Sequence, residues 1–287
     1  MTSDSASQHP DIIMRLEGGG AADLLHGQTT ADFSACQEGD VRYAAFCNPK
    51  GRVLADARVV VIHENEMFLR GRKEVMLQLG EHLKPFLAFA RSTLTPTDWQ
   101  VVIKPAEEAT DRALLERLDA ALERAILPAE GEWQEIWSST SAQNEDVEDD
   151  GTWHDILAAR ARVEAVTVGA YLPQDLNYDL NQTVSFSKGC YTGQEIVARL
   201  HYRGTPKRRL HRAAVDAGAE PGDLLVNASE QTVGSVVNSC HRQGVSELLI
   251  ELVPDAANET VALKTNGAEL SKISRCHSEI DQSTGSR

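Results

Sequence analysis

The sequence lacks the marks of several protein classes, beginning with an ordered set of cysteines. Its 287 residues include an odd number of cysteines, and no two of them form a C-x-x-C pair. This predicts neither a disulfide framework nor a zinc or iron–sulfur site built from this chain alone. No run of about 18 apolar residues occurs, and the polar first ten residues lack the apolar core of a signal peptide. We therefore expect a protein of the reducing cytoplasm. The five cysteines are Cys36, Cys47, Cys190, Cys240 and Cys276.

Basic and aromatic residues are also scarce. Lys and Arg total 28 against 43 Asp and Glu, which gives a net charge of −15, and aromatic residues make up 5% of the chain. A surface of this charge repels phosphate backbones and anionic lipids, so we expect no direct nucleic-acid partner and no membrane partner. The hydrophobic content of 41% is enough for a sizeable core, and the length permits two or three domains.

One stretch reverses the acidic balance. Between residues 188 and 212 seven basic residues face a single acid, Glu195. Such a cluster favours either a solvated polar surface or a site for anions, such as the carboxylates of a ligand or an acidic partner. The sequence leaves both interpretations open. The basic residues are Lys188, Arg199, Arg203, Lys207, Arg208, Arg209 and Arg212.

The stretch from Lys188 to Glu195, K-G-C-Y-T-G-Q-E, carries the most chemistry. Thr192 and Glu195 stand three apart before an apolar run, which is the capping-box pattern of a helix start. Cys190 then lies just ahead of a helix N-terminus, where the helix dipole favours the thiolate. Gly189 and Gly193 allow close approach of the backbone. The alternative is an ordinary turn into a helix, with a small buried cysteine.

This stretch continues as I-V-A-R-L-H-Y-R-G to Gly204, and the whole string resembles the signature of the YgfZ family of folate-binding proteins. These proteins are relatives of the aminomethyltransferase, or T-protein, of glycine cleavage. A second match lies about 160 residues earlier, where residues 24–32 read L-L-H-G-Q-T-T-A-D and resemble the N-terminal pattern of the same family.

The resemblance implies a fold, a cofactor and a role. The fold would be α+β, with three aminomethyltransferase-like domains around a central cavity and a small β-barrel domain at the C-terminus. The cavity would bind tetrahydrofolate or a derivative. The protein would support the assembly or repair of iron–sulfur clusters in client enzymes, including enzymes that modify tRNA, with Cys190 as the working thiol. The residues that would contact folate are Gln28, Thr30, Asp32, Lys188, Gly189, Tyr191, Gly193, Gln194, Glu195 and Arg199.

The chain departs from the T-protein at two places. The T-protein carries two acids in the strand after its N-x-x-G turn, one of them catalytic, whereas this chain has Ala55 and Asp56 there. It also has Cys190 where the T-protein has an aromatic residue. We therefore expect no glycine-cleavage activity. Two alternatives stay open, a folate-dependent one-carbon transferase that uses Asp56 and a non-catalytic scaffold with a degenerate cavity.

The predicted organisation follows composition and hydrophobic periodicity. Residues 10–98 and 151–204 form the folate-binding domain, 99–150 a middle α+β segment with an acidic linker, and 205–275 the barrel-like domain. Residues 1–9 and 276–287 are expected to be disordered tails. Residues 171–178 are expected to form a polar binding loop. Helices are predicted at 21–26, 73–86, 111–127 and 153–165, and strands at 11–16, 41–47, 52–62, 66–70, 99–103, 184–186, 207–215, 224–226, 232–239, 247–253 and 260–263.

Overall fold

The computed structural model describes residues 10–106, 111–118, 121–130, 132–139 and 151–276. The expected N-terminal tail, most of the acidic linker and the C-terminal tail beyond Cys276 lie outside these residues. Strands dominate the described part of the chain. The strands are β1 Asp11–Gly18, β2 Val41–Cys47, β3 Val53–His63, β4 Glu66–Arg72, β5 Ser92–Pro96, β6 Gln100–Pro105, β7 Leu114–Leu118, β8 Ala121–Ile126, β9 Trp133–Ser138, β10 Arg209–Val215, β11 Leu224–Asn227, β12 Thr232–Arg242, β13 Val245–Leu252, β14 Val261–Leu263 and β15 Ser271–Arg275. The helices are α1 Ala21–Gln28, α2 Lys73–Phe89, α3 Thr152–Leu157 and α4 Gln194–Arg203.

The chain divides into two compact units, each assembled from separate segments. The first takes its described residues from Met1–Leu24, Ala35–Arg42 and Ala57–Gly151. The second takes them from Leu25–Ser34, Tyr43–Asp56 and Thr152–Arg287. A mixed helix and sheet fold is therefore confirmed, but the expected three-domain arrangement is not. The individual domain boundaries stay predictions.

In the first unit, a sheet with the order β6-β9-β8-β7 shares a core with strands β1, β3 and β4. Trp137 of β9 is fully buried in this core beside Ile13, Val60 and Phe68. An ionic cluster lies next to it, because Glu135 Oε1 accepts from Arg58 Nη1 at 2.8 Å and pairs with Arg70 at 2.5 Å. Burial of the Glu135 carboxylate is tolerated because it pairs with two guanidinium groups.

The helix predicted for residues 111–127 is wrong. The apolar residues at 114, 115, 118, 122 and 126 have helical spacing, but the segment forms strands β7 and β8. Leu114 lies opposite Ile126 and Leu115 opposite Ala125, and β8 pairs in turn with β9. The partner strands of the sheet supply backbone hydrogen bonds, and this tertiary pairing overrides a local helical pattern.

The second unit contains a six-stranded sheet with the order β14-β11-β12-β13-β10-β15 and its own apolar core. Five of these strands were predicted. Closure of the sheet into a barrel is not confirmed, since β14 and β15 stand at opposite ends of the strand order. Cys276, which was assigned to the disordered tail, is buried, and its carbonyl accepts a hydrogen bond from Asn177 at 2.7 Å.

Two local predictions in the second unit are also wrong. Helix α3 ends at Leu157, well before residue 165, and Ala159 has a left-handed φ of 52° that stops a helix. Residues 184–186 form no strand, although the Ser185 amide donates to the Thr30 carbonyl at 2.9 Å. Among the described residues, no helix is long and apolar enough to cross a membrane.

Candidate functional site

Lys188 joins the two motifs that sequence analysis singled out. Its side chain is buried in the second unit, and Nζ donates to the carbonyls of His26, Thr29 at 2.7 Å and Ala31 at 2.8 Å. An ammonium group has three hydrogens, so all of its donors are used by the loop at residues 26–31. Burial lowers the pKa of Lys188 to about 8, while the three acceptors favour its protonated form. Lys188 therefore has no donor left for a folate carboxylate.

Cys190 lies in the turn that follows this lysine, and its side chain is exposed. Tyr191 beside it is buried, with Lys188 Nζ 5.0 Å from the centre of its ring. The buried side chains of Lys188 and Tyr191 thus hold the turn in place, and the Cys190 thiol faces solvent. The interpretation of Cys190 as a small buried hydrophobe is wrong.

The predicted capping box at the start of α4 is also wrong. The N-cap residue is Gly193, with φ 86°, and no side chain caps the helix. Thr192 Oγ1 instead lies 3.4 Å from Gln28 Oε1, in the other motif. Glu195 pairs with Arg199 one turn along the helix at 2.8 Å, and both side chains are exposed to solvent. This pair is typical of a helix surface and leaves both residues within reach of a ligand.

Gly193 is required by close backbone contact. A Cβ at this position would lie 2.5 Å from the Asn48 carbonyl oxygen and 3.0 Å from the Gly51 Cα. The 48–51 turn between β2 and β3 therefore packs directly against the start of α4. Gly51 has φ 71°, and its own added Cβ would lie 3.0 Å from Ile196 Cβ. The turn and the signature stretch form one tightly packed corner.

The remaining residues of the 24–32 motif divide into buried and accessible ones. Thr30 is fully buried, donates to the Thr183 carbonyl at 2.6 Å and accepts from the Ala45 amide at 3.0 Å. Thr30 therefore supports the loop and is not exposed to a ligand. Gln28 and Asp32 are half-buried or accessible in the same loop, where Asp32 accepts from both the amide and the hydroxyl of Ser34. Hydrogen bonds from Ser34 lower the pKa of Asp32.

Both carboxylate oxygens of Asp56, the candidate catalytic acid, accept hydrogen bonds from other residues of the protein. Its Oδ2 accepts from Arg162 Nε at 2.7 Å, and its Oδ1 accepts from the Val163 amide at 2.5 Å. Arg162 also pairs with Asp155 at 3.1 Å. Sequence analysis missed the role of Arg162, which only a contact 106 residues away along the chain reveals. Asp56 thus anchors the segment after α3.

The basic cluster is largely neutralised. Arg208 pairs with Glu251 at 2.9 Å and Arg209 with Asp179 at 2.7 Å, and Arg212 lies 3.9 Å from Glu247. Lys188 bonds three backbone carbonyls and Arg199 pairs with Glu195, so within the described residues Arg203 and Lys207 are the members of the cluster with neither kind of contact. The structure favours neither a strong anion site nor a wide basic surface here.

Residues 171–178 turn their side chains inward. Tyr171 OH lies 3.2 Å from Ser235 Oγ, and Tyr178 OH donates to the Ala161 carbonyl at 2.8 Å. Gln174 is buried and donates to the Val197 carbonyl at 2.8 Å, on α4. The segment predicted as a binding loop thus contacts α4 through the Gln174 side chain.

A cavity of about 630 Å³ occurs in the first unit and does not involve the signature stretch. Phe68 and Trp99 form one wall, with ring centres 4.7 Å apart. Arg15 and Glu66, paired at 2.7 Å, lie at another. The cavity and the Cys190 turn are therefore separate features of the two units.

Comparison with known proteins gives a consistent set of relatives. No protein-family model matches the chain. The tRNA-modifying protein YgfZ of Pectobacterium carotovorum is 30% identical over 226 residues, which cover 70% of this chain and 68% of that protein. The protein of the same name from Blochmanniella pennsylvanica is 26% identical and covers 79% of this chain and 80% of its own length. An uncharacterized protein of Haemophilus influenzae is 27% identical over 86% of this chain and 88% of its own length.

The fold has a counterpart among solved structures. The glycine cleavage system aminomethyltransferase T from Bartonella henselae superposes with a TM-score of 0.66, over 94% of this chain and 84% of its own. Sequence identity is 13%, so the comparison shows an aminomethyltransferase-like fold and carries no residue roles with it.

Proposed function

This chain belongs to the YgfZ family of tRNA-modifying proteins, and we propose that it binds a reduced folate and presents a thiol that supports iron–sulfur enzymes. One observation carries the proposal. Lys188 ties residues 26–31 to the K-G-C-Y-T-G-Q-E stretch, so both motifs meet in one unit, and Cys190 is exposed at their junction. A solvent-accessible thiol can react with a ligand or a partner, whereas a buried thiol usually serves only to pack the core.

The side chains near this junction suit a small polar heterocycle. Gln28, Asp32 and Gln194 offer amide and carboxylate groups that can bond the ring nitrogens and oxo group of a pterin. Gly189 lets the backbone approach such a ring closely. We propose these residues, with Cys190, as the ligand-contacting set, whereas Lys188, Thr30 and Gly193 build the corner that holds them.

Folate-dependent one-carbon transfer through Asp56 is the weaker alternative. A general acid or base must reach the proton that it moves. Both oxygens of Asp56 already accept hydrogen bonds, from Arg162 and from the Val163 amide. Ala55 at the neighbouring position is buried and has no polar side chain. We therefore expect no turnover of an aminomethyl-lipoyl carrier by this protein.

The link to tRNA would run through client enzymes. The net charge of −15 and the neutralised basic cluster disfavour direct binding of RNA. Iron–sulfur enzymes that modify tRNA would depend on this protein for assembly or repair of their clusters in the cytoplasm. The partners would then be a folate and iron–sulfur client or assembly proteins.

Ligand binding is tested by thermal unfolding with tetrahydrofolate under anaerobic conditions. A ligand at about 100 times its dissociation constant stabilises the folded state by about 2.7 kcal/mol, which raises the melting temperature by a few degrees. We expect this rise in the wild type and a smaller one in Gln28→Ala, with Gln243→Ala, on an exposed turn, as the matched control. An unchanged melting temperature at millimolar tetrahydrofolate would leave a plain scaffold as the better description.

The role of the thiol is tested separately in cells. Cys190→Ala should fold normally, because an exposed side chain leaves no cavity when it is shortened. It should fail to restore the activity of iron–sulfur enzymes in a strain that lacks the gene, whereas Cys240→Ala should restore it. Full complementation by Cys190→Ala would contradict the proposed role of the sulfur.

A further inference from the structure

A row of side chains across the sheet lines one side of the cavity in the first unit. Arg15 of β1 lies opposite Phe68 of β4 and opposite Thr95 of β5. Directly opposite residues of adjacent strands point to the same face of a sheet. Glu66, two positions before Phe68, points to that face as well, and its Oε1 accepts from Arg15 Nε at 2.7 Å. The strand register therefore gathers an aromatic ring, an ion pair and a hydroxyl on one surface of the cavity.

Trp99 adds an aromatic platform to this surface. Its ring is partly buried, and its centre lies 4.7 Å from that of Phe68, which belongs to the core. The Trp99 amide donates to Thr97 Oγ1 at 3.2 Å, and this hydroxyl donates to the Ile13 carbonyl at 2.8 Å. Core packing and backbone contacts thus hold the indole ring at the cavity. The face of an indole ring attracts flat rings and, more strongly than other aromatic side chains, cations.

The charges of the lining residues favour a cation. Arg15 pairs with Glu66, and Arg117 Nη1 pairs with Glu38 at 2.8 Å, so carboxylates already match both guanidinium groups. Asp98 adds a third carboxylate, and acids outnumber arginines by three to two among the described lining residues. A phosphate or carboxylate ligand would therefore meet net negative charge, whereas an organic cation would be attracted.

We propose that this cavity binds a small planar organic cation, such as an amidinium or an amino-substituted heterocycle. Its volume of about 630 Å³ lies within the range of roughly 300–1,000 Å³ that is typical of small-molecule pockets. Trp99 stacks on the flat face of the ligand, and the lining carboxylates accept its N–H groups. An ionised carboxylate has about four lone-pair sites, so Glu66 and Glu38 can accept from a ligand while they remain paired with arginine. This site is independent of the proposed folate site.

Three probes of similar flat shape test the charge preference, namely benzamidine, benzamide and benzoate, which are positive, neutral and negative at neutral pH. The chain has four tryptophans, so a ¹H–¹⁵N spectrum of the full chain shows few indole N–H peaks, and Trp99→Leu identifies the Trp99 peak by its loss. We expect benzamidine to shift this peak saturably, with an affinity in roughly the millimolar range expected of so small a ligand. Benzamide and benzoate should bind at least about tenfold more weakly.

Two variants separate the platform from the charge. Trp99→Leu should weaken benzamidine at least about fivefold, measured from the signals of the ligand, whereas Trp133→Leu, outside the cavity lining, should not. Asp98→Asn removes one carboxylate from an exposed position without disturbing the core and should weaken benzamidine about threefold. Asp216→Asn, exposed in the second unit, is its matched control and should bind benzamidine like the wild type.

The outcomes that would overturn the proposal are distinct. Equal affinity for the three probes, or tightest binding of benzoate, would contradict a cation site. Benzamidine that binds without shifting the Trp99 peak would place the binding site elsewhere. If Trp99→Leu does not fold, the probe series and Asp98→Asn decide the question by themselves, and unchanged affinity in Asp98→Asn would count against the proposal.

Discussion

Replacing Lys188 by Met separates a structural lysine from a ligand-binding one. Methionine keeps a flexible apolar stem of similar length and removes the three N–H donors. In the folded protein those donors bond the carbonyls of His26, Thr29 and Ala31, and the last two residues are buried. The substitution thus leaves the carbonyl oxygens of His26, Thr29 and Ala31 without this donor, in a loop whose last two acceptor residues are buried from water.

The expected loss of stability is about 3 kcal/mol. A buried carbonyl that loses its donor costs about 1–3 kcal/mol, and Lys188 serves three carbonyls. The lower end applies because burial of the ammonium is itself unfavourable, as shown by a pKa of Lys188 lowered to about 8, and the substitution relieves that cost. Arginine is not expected to rescue the fold, since its planar fork does not match three carbonyls gathered around one nitrogen.

Urea denaturation gives the free energy of unfolding of Lys188→Met against the wild type. Lys207→Met is the matched control, because Lys207 is exposed and has no ion pair in the described residues, and it should change the free energy by less than about 0.5 kcal/mol. The reasoning is refuted if Lys188→Met loses less than about 1 kcal/mol while its affinity for tetrahydrofolate collapses. That outcome would restore Lys188 to the ligand-binding role suggested by sequence.

Two further predictions test the packing of each unit. Burial raises the pKa of Glu135, but Arg58 and Arg70 more than offset this and bring the pKa to about 2. The ionised carboxylate therefore contributes about 3 kcal/mol to the free energy of unfolding above pH 4.5, and this contribution is lost as the pH falls toward 2. The difference in unfolding free energy between wild type and Glu135→Gln should therefore shrink from pH 6 to pH 2.5, and a constant difference would contradict the pairing. Gly193→Ala should cost about 2 kcal/mol or more, because φ is 86° and the added Cβ meets the Asn48 carbonyl at 2.5 Å, whereas Gly218→Ala has open space and should be nearly neutral. Equal stability of these two variants would show that the corner can relax.

The strands and helices of strong periodicity could be predicted from the sequence. Strands β1 to β4, helix α2 and strands β10 to β14 lie close to their predicted ranges. Each alternates or repeats its apolar residues in the period that its own backbone demands, and turn residues such as those at 48–51 mark the boundaries. The two motifs also identified the family correctly.

The segment at residues 111–127 shows where local patterns fail. Its leucines are spaced as in a helix, yet β7 pairs with β8 inside the segment, and β8 pairs with β9 outside it. The pairing with β9 brings the segment into the sheet of the first unit. That pairing depends on another part of the chain, so the local spacing of apolar residues does not decide it.

For the candidate site, the sequence named the candidate residues, and the tertiary structure decided which groups each of them contacts. The motif string named Lys188 and Cys190, and the resemblance to the T-protein named Asp56, but the three carbonyl acceptors of Lys188 lie 157 to 162 residues away along the chain. Whether a lysine meets a ligand or a backbone loop, and whether Asp56 is open or bonded to Arg162, depends on which distant segments fold beside it. Residue types fix the available chemistry, and only three-dimensional packing decides which donors and acceptors remain free to use it.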